Sequence, residues 1–212
     1  MDLSASTPRL RREQVAGMNI HYIMWSLDYF LDAQQRLGFK TIELWAAEPH
    51  VTLDHTGYFE ADELRRKIES RGLSVSSLCP ENVVYPWQYA ARKPLHAQRS
   101  LAYFKHGIEL AEVLGAPYMS INSGWGDWDE DREEAWKRSA EHLAILADYA
   151  GEHGVTLCME SLRPEESNLV VTLADARRML DQVASPHLTP MVDTTAMGAV
   201  SYTHLRAHET AA

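Results

Sequence analysis

The sequence predicts an α/β fold built on a parallel sheet, and three observations carry that reading. From Gly17 onward, short apolar runs alternate with amphipathic helices, the rhythm of consecutive parallel β/α units. The first loop lacks a GxGxxG, which weakens the dinucleotide-binding version of such a sheet. Strand after strand then ends in polar residues: Glu43 in "IELW", Glu81 and Asn82 in "CPEN", Asn122 and Ser123 in "INSG", Glu160 in "CMES" and Asp193 in "MVDT". The rhythm alone fits an open sheet or a barrel. In a (β/α)8 barrel, however, the C-terminal strand ends converge on one mouth, where the active site sits.

Each element has its own signal. "MNIHYIM" is the first apolar run, and "LDYFLDAQQRLGF" is a helix closed by Gly38. "TIELW" is the second strand. "FEADELRRKIESRGL" is a helix closed by Gly72, and "SVSSLC" is the third strand. A long helix from about Pro94 to Leu114 ends at Gly115, before "YMSIN", the fourth strand. "DEDREEAWKRSAEHLAILADYAGEHG" has an acidic first turn suited to the positive end of the helix dipole. Trp136, Ala140, Leu143, Ala147 and Ala150 form its apolar stripe, at steps of three and four. Gly154 sits where a left-handed cap belongs.

"VTLCME" is the fifth strand. Its helix opens with a capping-box pattern, Thr172 to Asp175, and its expected buried face is Leu173, Ala176, Met179, Leu180 and Val183. "LTPMVD" is the sixth strand, with Pro190 near its start, where a missing N–H does least harm.

Bulk properties narrow the function. The chain has 212 residues, 45% of them hydrophobic and 24% charged, with a formal net charge of −10. These values describe a soluble globular protein with one sizeable core. The acidic balance argues against a nucleic-acid surface. No apolar run is long enough to span a membrane, and "MDLSASTPRLRREQVAG" has no apolar core of the kind a secretory signal needs. Cys79 and Cys158 show no metal-ligand or redox spacing. A reducing, cytoplasmic setting follows, with residues 1–16 as a loosely held tail.

Glu160 ends a mostly apolar run, where an uncompensated charge is expensive. Asp193 ends the next strand, and neighbouring strands lie about 4.8 Å apart. The two carboxylates can therefore share one divalent cation, which would offset the desolvated charge. Oxygen ligands favour Mg²⁺ or Mn²⁺, while added imidazole shifts the preference toward Mn²⁺, Co²⁺ or Zn²⁺. The bland alternative pairs Glu160 with Arg163 in the following loop. Glu166 lies beyond Pro164 in a loop over the mouth, where by default it is a solvated residue. Trp25, Trp45, Trp87 and Trp125 lie near the mouth and could stack on a sugar, although tryptophans at strand ends more often act as core lids. His21 falls on the first strand, where a satisfied lumen histidine is the ordinary reading.

The stretches "RLGFKTIELWAAEPH", "CPENVVYP", "MESLRPEESNLVV" and "SPHLTPMVDT" together resemble the sugar isomerase/epimerase group of xylose-isomerase-like TIM barrels, nearest its ketoamine (fructoselysine-type) 3-epimerases. The resemblance covers Gly17 to about Met197. It implies a metal-dependent 3-epimerase of a ketose or ketoamine sugar, with proton transfer at C3 through an enediolate. It implies a divalent metal on a strand-five glutamate, a strand-six aspartate, a strand-seven histidine and a strand-eight glutamate, of which the first two map onto Glu160 and Asp193. Glu160 would also be one of two catalytic acid/bases, and Glu166 would hold a substrate hydroxyl. Glu81, Trp125 and His21 are the further candidates for the substrate-lined wall. There is one departure. Relatives acting on free ketoses often carry a histidine three residues after the strand-six aspartate, and here that position is Ala196, which favours a modified sugar.

The implied partner is a small-molecule sugar, with no nucleic acid and no membrane, in a parent protein that can be a homo-oligomer. A ketose isomerase or an inosose-type dehydratase is the alternative within the group, and a deoxyribonuclease of the related endonuclease group fits the acidic charge poorly. A non-catalytic sugar-binding module is the alternative of a different class.

The last residues do not continue the pattern. "VSYTHLRAHET", Val200 to Thr210, agrees codon by codon with a reading frame of a widely used transposon-based sequencing adapter. Residues 200–212 are therefore expected to be an adapter-derived tail, in preference to a genuine metal-binding tail built on Tyr202, His204 and His208. Residues 17–199 would then be a partial TIM-barrel domain of about six β/α units, and the expected seventh and eighth strands would be absent from the chain.

Overall fold

The computed structural model describes residues 10–83, 86–196 and 198. Its main sheet contains six parallel strands in the order β1 (Gly17–Met18), β2 (Thr41–Ala46), β5 (Ser74–Pro80), β6 (Tyr118–Ile121), β7 (Thr156–Glu160) and β8 (Leu188–Met191). A small antiparallel hairpin, β3 (Leu53–Asp54) and β4 (Gly57–Tyr58), interrupts the second unit, and the alternation rule gives no signal for it. Sequence order equals spatial order along the main sheet, as in a barrel wall. Among the described residues the wall is not closed, and β1 and β8 are its two edges. The adapter-like residues 200–212 and most of the expected N-terminal tail lie outside the described residues. Within residues 10–16, Arg12–Gln14 form a single 3₁₀ turn.

The helices are α1 (Leu27–Leu37), α2 (Ala61–Glu69), α3 (Pro94–Leu114), α4 (Arg132–Glu152) and α5 (Leu173–Val183). Ser26 caps α1 by accepting from the Tyr29 N–H at 3.2 Å. Gly38 ends α1 at φ +78° and Gly115 ends α3 at φ +67°, left-handed positions that a Cβ disfavours. The α5 capping box is present, with Thr172 and Asp175 each accepting from the other's N–H. The whole predicted stripe of α4 is buried against the sheet. On α5 only Ala176 and Met179 are fully buried. Leu180 and Val183 pack at the core's margin, and Leu173 is 57% exposed, because it sits in the first turn, where the helix has not yet reached the sheet. At Gly107 an added Cβ would lie 3.2 Å from Met119 Sδ and 3.3 Å from Pro80 Cγ, so α3 rests almost directly on β5 and β6. None of the described helices is long and apolar enough to cross a membrane.

The first strand is shorter than its apolar run. Asn19–Tyr22 form a 3₁₀ turn, so His21 is not on a strand. Asn19 is the cause. Its side chain is fully buried, accepts from the Trp45 N–H at 2.7 Å and donates to the Trp45 carbonyl at 3.0 Å. An amide side chain thus takes the ladder positions that the backbone of β1 would have used.

Candidate functional site

Glu160 is the last residue of β7, and it pairs in register with Met191 of β8. Asp193 lies two residues further on, so the period of two carries its side chain back to the same face. The two carboxyls meet there. Burial is the largest effect on Glu160, followed by the charge of Asp193 and a hydrogen bond between the two. Glu43 and Glu166 add smaller repulsions, and together these push the Glu160 carboxyl up to about 7. Asp193 also accepts from the Thr195 N–H at 2.7 Å, which anchors its carboxylate just beyond the strand.

Like charges this close cannot both ionise without cost. Facing hard-oxygen donors at a strand-end rim are what a divalent cation neutralises. The donor pair therefore fits such an ion in kind. Among the described residues no group of three or more ligating side chains gathers.

Glu43 and Glu81 look onto the same lumen from further round the wall. Glu43 sits on β2 where the register with β5 shifts between Ile42 and Glu43, an irregularity that re-aims a side chain. Burial raises its carboxyl above the usual range. Glu81 follows β5 and is more firmly tied. It accepts from the Trp45 indole N–H at 3.0 Å and from the Val83 N–H at 3.2 Å. The Cys79 thiol is pushed up to about 12 mainly by burial, with smaller raising contributions from the charges of Glu43, Glu160 and Glu81.

Glu166 stands in different surroundings. It closes a turn on Arg163, with the Glu166 and Ser167 N–H groups donating to the Arg163 carbonyl at 2.9 and 3.0 Å. The Arg163 guanidinium grips its carboxylate through both oxygens and holds that carboxyl below its ordinary value. Arg163 is thus spent on Glu166 and not on Glu160, against the bland expectation.

The loop carrying Glu166 is locked to the one after β6. Asn168 accepts from the Gly126 N–H and donates to the Gly126 carbonyl, both at 2.8 Å. Ser167 donates to the Gly124 carbonyl at 2.7 Å. Trp125 lies inside this clasp, with its backbone carbonyl accepting from Gln88 Nε2 and its N–H donating to Gln88 Oε1 at 3.3 Å.

Two cavities flank Trp125. One, of about 230 Å³, includes Trp128, Glu166 and Asn168 in its lining. The other, of about 610 Å³, runs toward Arg92 and Glu130. Glu160 and Asp193 line neither. They connect to this region through Glu166, whose charge is felt at Glu160 and which in turn feels that of Asp193.

His21 is exposed on its 3₁₀ turn, beyond the end of β1. The tryptophans divide. Trp45 is 6% exposed and Trp87 stacks on Tyr103 with ring centroids 4.2 Å apart, as core lids do. Trp25 is half-exposed and stacks with Tyr29. Asn82, Asn122 and Ser123 knit loops together: Asn122 Nδ2 donates to the Asn82 carbonyl at 2.6 Å, and Ser123 Oγ accepts from the Val170 N–H at 3.1 Å. Sequence reasoning missed Gln88 and Asn168 as the residues that hold the loops. The available signal was the "S-N" that directly follows Glu166.

The model of the family described as xylose isomerase-like TIM barrel matches residues 31–210. The fructoselysine 3-epimerase of Shigella flexneri is 29% identical over 167 residues, covering 79% of this chain and 60% of that protein. The D-psicose 3-epimerase of Enterocloster bolteae is 25% identical over 208 residues, covering 88% of this chain and 65% of the relative. Among solved structures, an L-ribulose 3-epimerase superposes with a TM-score of 0.73 at 24% identity, over 87% of this chain and 61% of that one, a likeness of fold. The chain thus spans less than two thirds of the length of each.

Proposed function

This chain belongs to the xylose isomerase-like TIM barrel family, and from that premise we propose that the full-length protein is a 3-epimerase of a ketose or ketoamine sugar, in which this chain forms the first six β/α units of a complete barrel. The observation that carries the reading is the Glu160–Asp193 pair: two facing carboxyls at adjacent strand ends, with Glu160 pushed up to about 7. The 3-epimerases among its relatives support it.

Glu160 and Asp193 would hold a divalent cation (Mn²⁺, Co²⁺, Mg²⁺ or Zn²⁺), which when bound supplies Lewis-acid polarisation of the sugar oxygens. The C3 proton of a ketose is acidic because the adjacent C2 carbonyl can accept its electron pair. Glu160 takes or returns that proton on one face as a general acid–base group. The resulting enediolate is planar at C3, so reprotonation from the opposite face, by the strand-eight glutamate that the resemblance implies in the full-length protein, inverts the centre. Glu166, held ionised by Arg163, accepts from a sugar hydroxyl. Trp125 and Glu81 border the space beside it. Ala196 is buried at the position where relatives acting on free ketoses often carry a histidine, which supports a substrate with a substituent.

The test is deuterium uptake from D₂O. The full-length protein, loaded with one divalent metal at a time, should exchange only the C3 proton of its substrate. Exchange at C1 together with aldose formation would make it a ketose isomerase, and loss of water would make it a dehydratase. Tight binding with neither exchange nor turnover would leave a sugar-binding module.

A further inference from the structure

The reaction site leaves the larger cavity unused. Trp125 and Asp127 line both cavities, so the 610 Å³ space lies next to the one that Glu166 lines. Pro86 contributes an apolar surface. Arg92, Lys93, Asp127 and Glu130 bring both signs of charge to its lining. A cavity with this lining is either a closed salt-bridge network or a receptor for charge, and the distances separate the two.

Glu130 is committed. It accepts from Arg138 at 2.6 Å and from the Asp127 N–H at 2.9 Å. Arg92 is not. Its closest approaches to Asp127, Asp129 and Glu130 are 3.9, 3.8 and 3.8 Å, beyond direct hydrogen-bond reach, so its fork of donors is free to turn to a ligand. Lys93 has no ion pair among the described residues, and it stands at the N-cap of α3, a 21-residue helix, whose positive dipole end also favours an anion. The side chain of Asp127 meets no cation closer than Arg92. The cavity therefore presents two cations and a carboxylate together, with Arg92 in ion-pair range of Asp127 but held by no direct hydrogen bond among the described residues.

A purely anionic group would meet Asp127 and Glu130 as well as Arg92, and a purely cationic one would meet Arg92 and Lys93. A neutral sugar would answer neither charge. An α-amino acid group answers both.

We propose that this cavity is the subsite for the zwitterionic end of a ketoamine substrate. Arg92 and Lys93 take the carboxylate, Asp127 takes the ammonium, and Trp125 carries the aliphatic stem that leads to the sugar beside Glu166. This rests on the epimerase reading and names the class of substrate within it, a sugar carried on the side-chain amine of an amino acid. Arg92, Lys93 and Asp127 are then specificity residues, remote from the reacting carbon.

The test uses the full-length protein and two probes, fructosyl-lysine and its decarboxylated analogue, fructosyl-cadaverine. Calorimetry measures affinity, and C3 deuterium uptake is followed separately, with D-fructose as a third substrate for exchange alone. The wild type should bind the zwitterion at least about tenfold more tightly, the worth of one charged hydrogen bond. Arg92→Gln should erase that preference, Arg92→Lys should restore part of it, and Asp127→Asn should weaken fructosyl-lysine while raising the relative affinity of an N-acetylated form. Equal wild-type affinity for the two probes, a preference that survives Arg92→Gln, or no binding of either probe would overturn the subsite. C3 exchange separates the two readings. Exchange without the zwitterion preference keeps the epimerase and removes the subsite, whereas preference without any exchange does the reverse.

Discussion

Glu160 and Glu166 stand six residues apart in one stretch of chain, and their surroundings drive them in opposite directions. Glu160 ends a strand. Its place is fixed by the β7–β8 ladder, and what it meets there is burial and another carboxyl, so its proton is held up to about 7. Glu166 ends a turn that brings its own cation, Arg163, and its proton is released more easily than usual. Strand ends deliver groups to a fixed place with no local compensation, and loops deliver them already neutralised. The first arrangement suits proton transfer or a metal, where an unmet charge is useful. The second suits a binding contact that must stay ionised.

Replacing the two carboxylates should break this contrast most visibly. In the full-length protein, Glu160→Gln removes a proton carrier and a metal ligand together, and C3 exchange should fall by at least about a hundredfold on every substrate. Glu166→Gln should chiefly raise KM, by an amount that differs between substrates, with kcat affected less. Equal collapse of kcat in both variants would mean that the two carboxylates share one role.

The next effect is a pH dependence that distinguishes the carboxyl pair from the turn. Without metal, the raised carboxyl of Glu160 keeps its proton in the folded state after the unfolded chain has released it, so the folded state binds more protons between about 4.5 and about 7. Its contribution is fully present below 4.5 and is lost as pH rises through about 7. The melting temperature in EDTA should accordingly decline across that window, and Asp193→Asn should flatten the decline. A bound divalent cation requires the proton to leave, so metal affinity should rise from pH 6 to pH 8. A melting temperature and a metal affinity both flat across this range would dissolve the pair.

Asn168→Ala tests whether the loop region needs its clasp. The substitution leaves the Gly126 N–H and carbonyl without their partner, at a cost of roughly 1–3 kcal/mol for each buried group that stays unsatisfied. Glu166 and Trp125 lose their common anchor, so KM should rise about tenfold, the equivalent of one such cost, while the C3 exchange rate at saturation changes little. A matching fall in exchange would show that the clasp supports Glu160 too.

The strand-end carboxylates were the legible part of the site, because strand period and parallel order follow from local pattern. Once "VTLCME" and "LTPMVD" are consecutive strands, Glu160 and Asp193 are forced into proximity. Whatever depends on a side chain choosing between partners was not legible. Arg163 could reach either glutamate, and the turn geometry after Pro164 decided for Glu166. His21 was placed on a strand by its apolar neighbours, and Asn19 ended that strand by bonding Trp45. The β3–β4 hairpin and the Gln88 and Asn168 clasps are contacts across distant sequence, and no periodicity announces them.

The smallest expected effect concerns Arg163 itself. Its pair with Glu166 joins residues three apart, and Arg163 is nearly half exposed, so solvent screens it and its worth to stability is small. Glu166 has its proton affinity lowered by Arg163 first of all, and lowered means ionised at neutral pH with the arginine in place. Removing the arginine lets the carboxyl return toward its ordinary value near 4.5, and a group of that value is still ionised at pH 7. Arg163→Gln should therefore leave kcat/KM at pH 7 within a fewfold of wild type. The difference should appear at lower pH. The pair's stabilisation is present above the unfolded-state value and is lost as pH falls through the lower folded-state one, so the acid limb of KM should move upward in the variant, toward 4.5. An unmoved acid limb would mean that Glu166 makes no contact with substrate. A collapse at pH 7 would mean that Arg163 holds the sugar directly, and that the pairing with Glu166 gives way when substrate arrives.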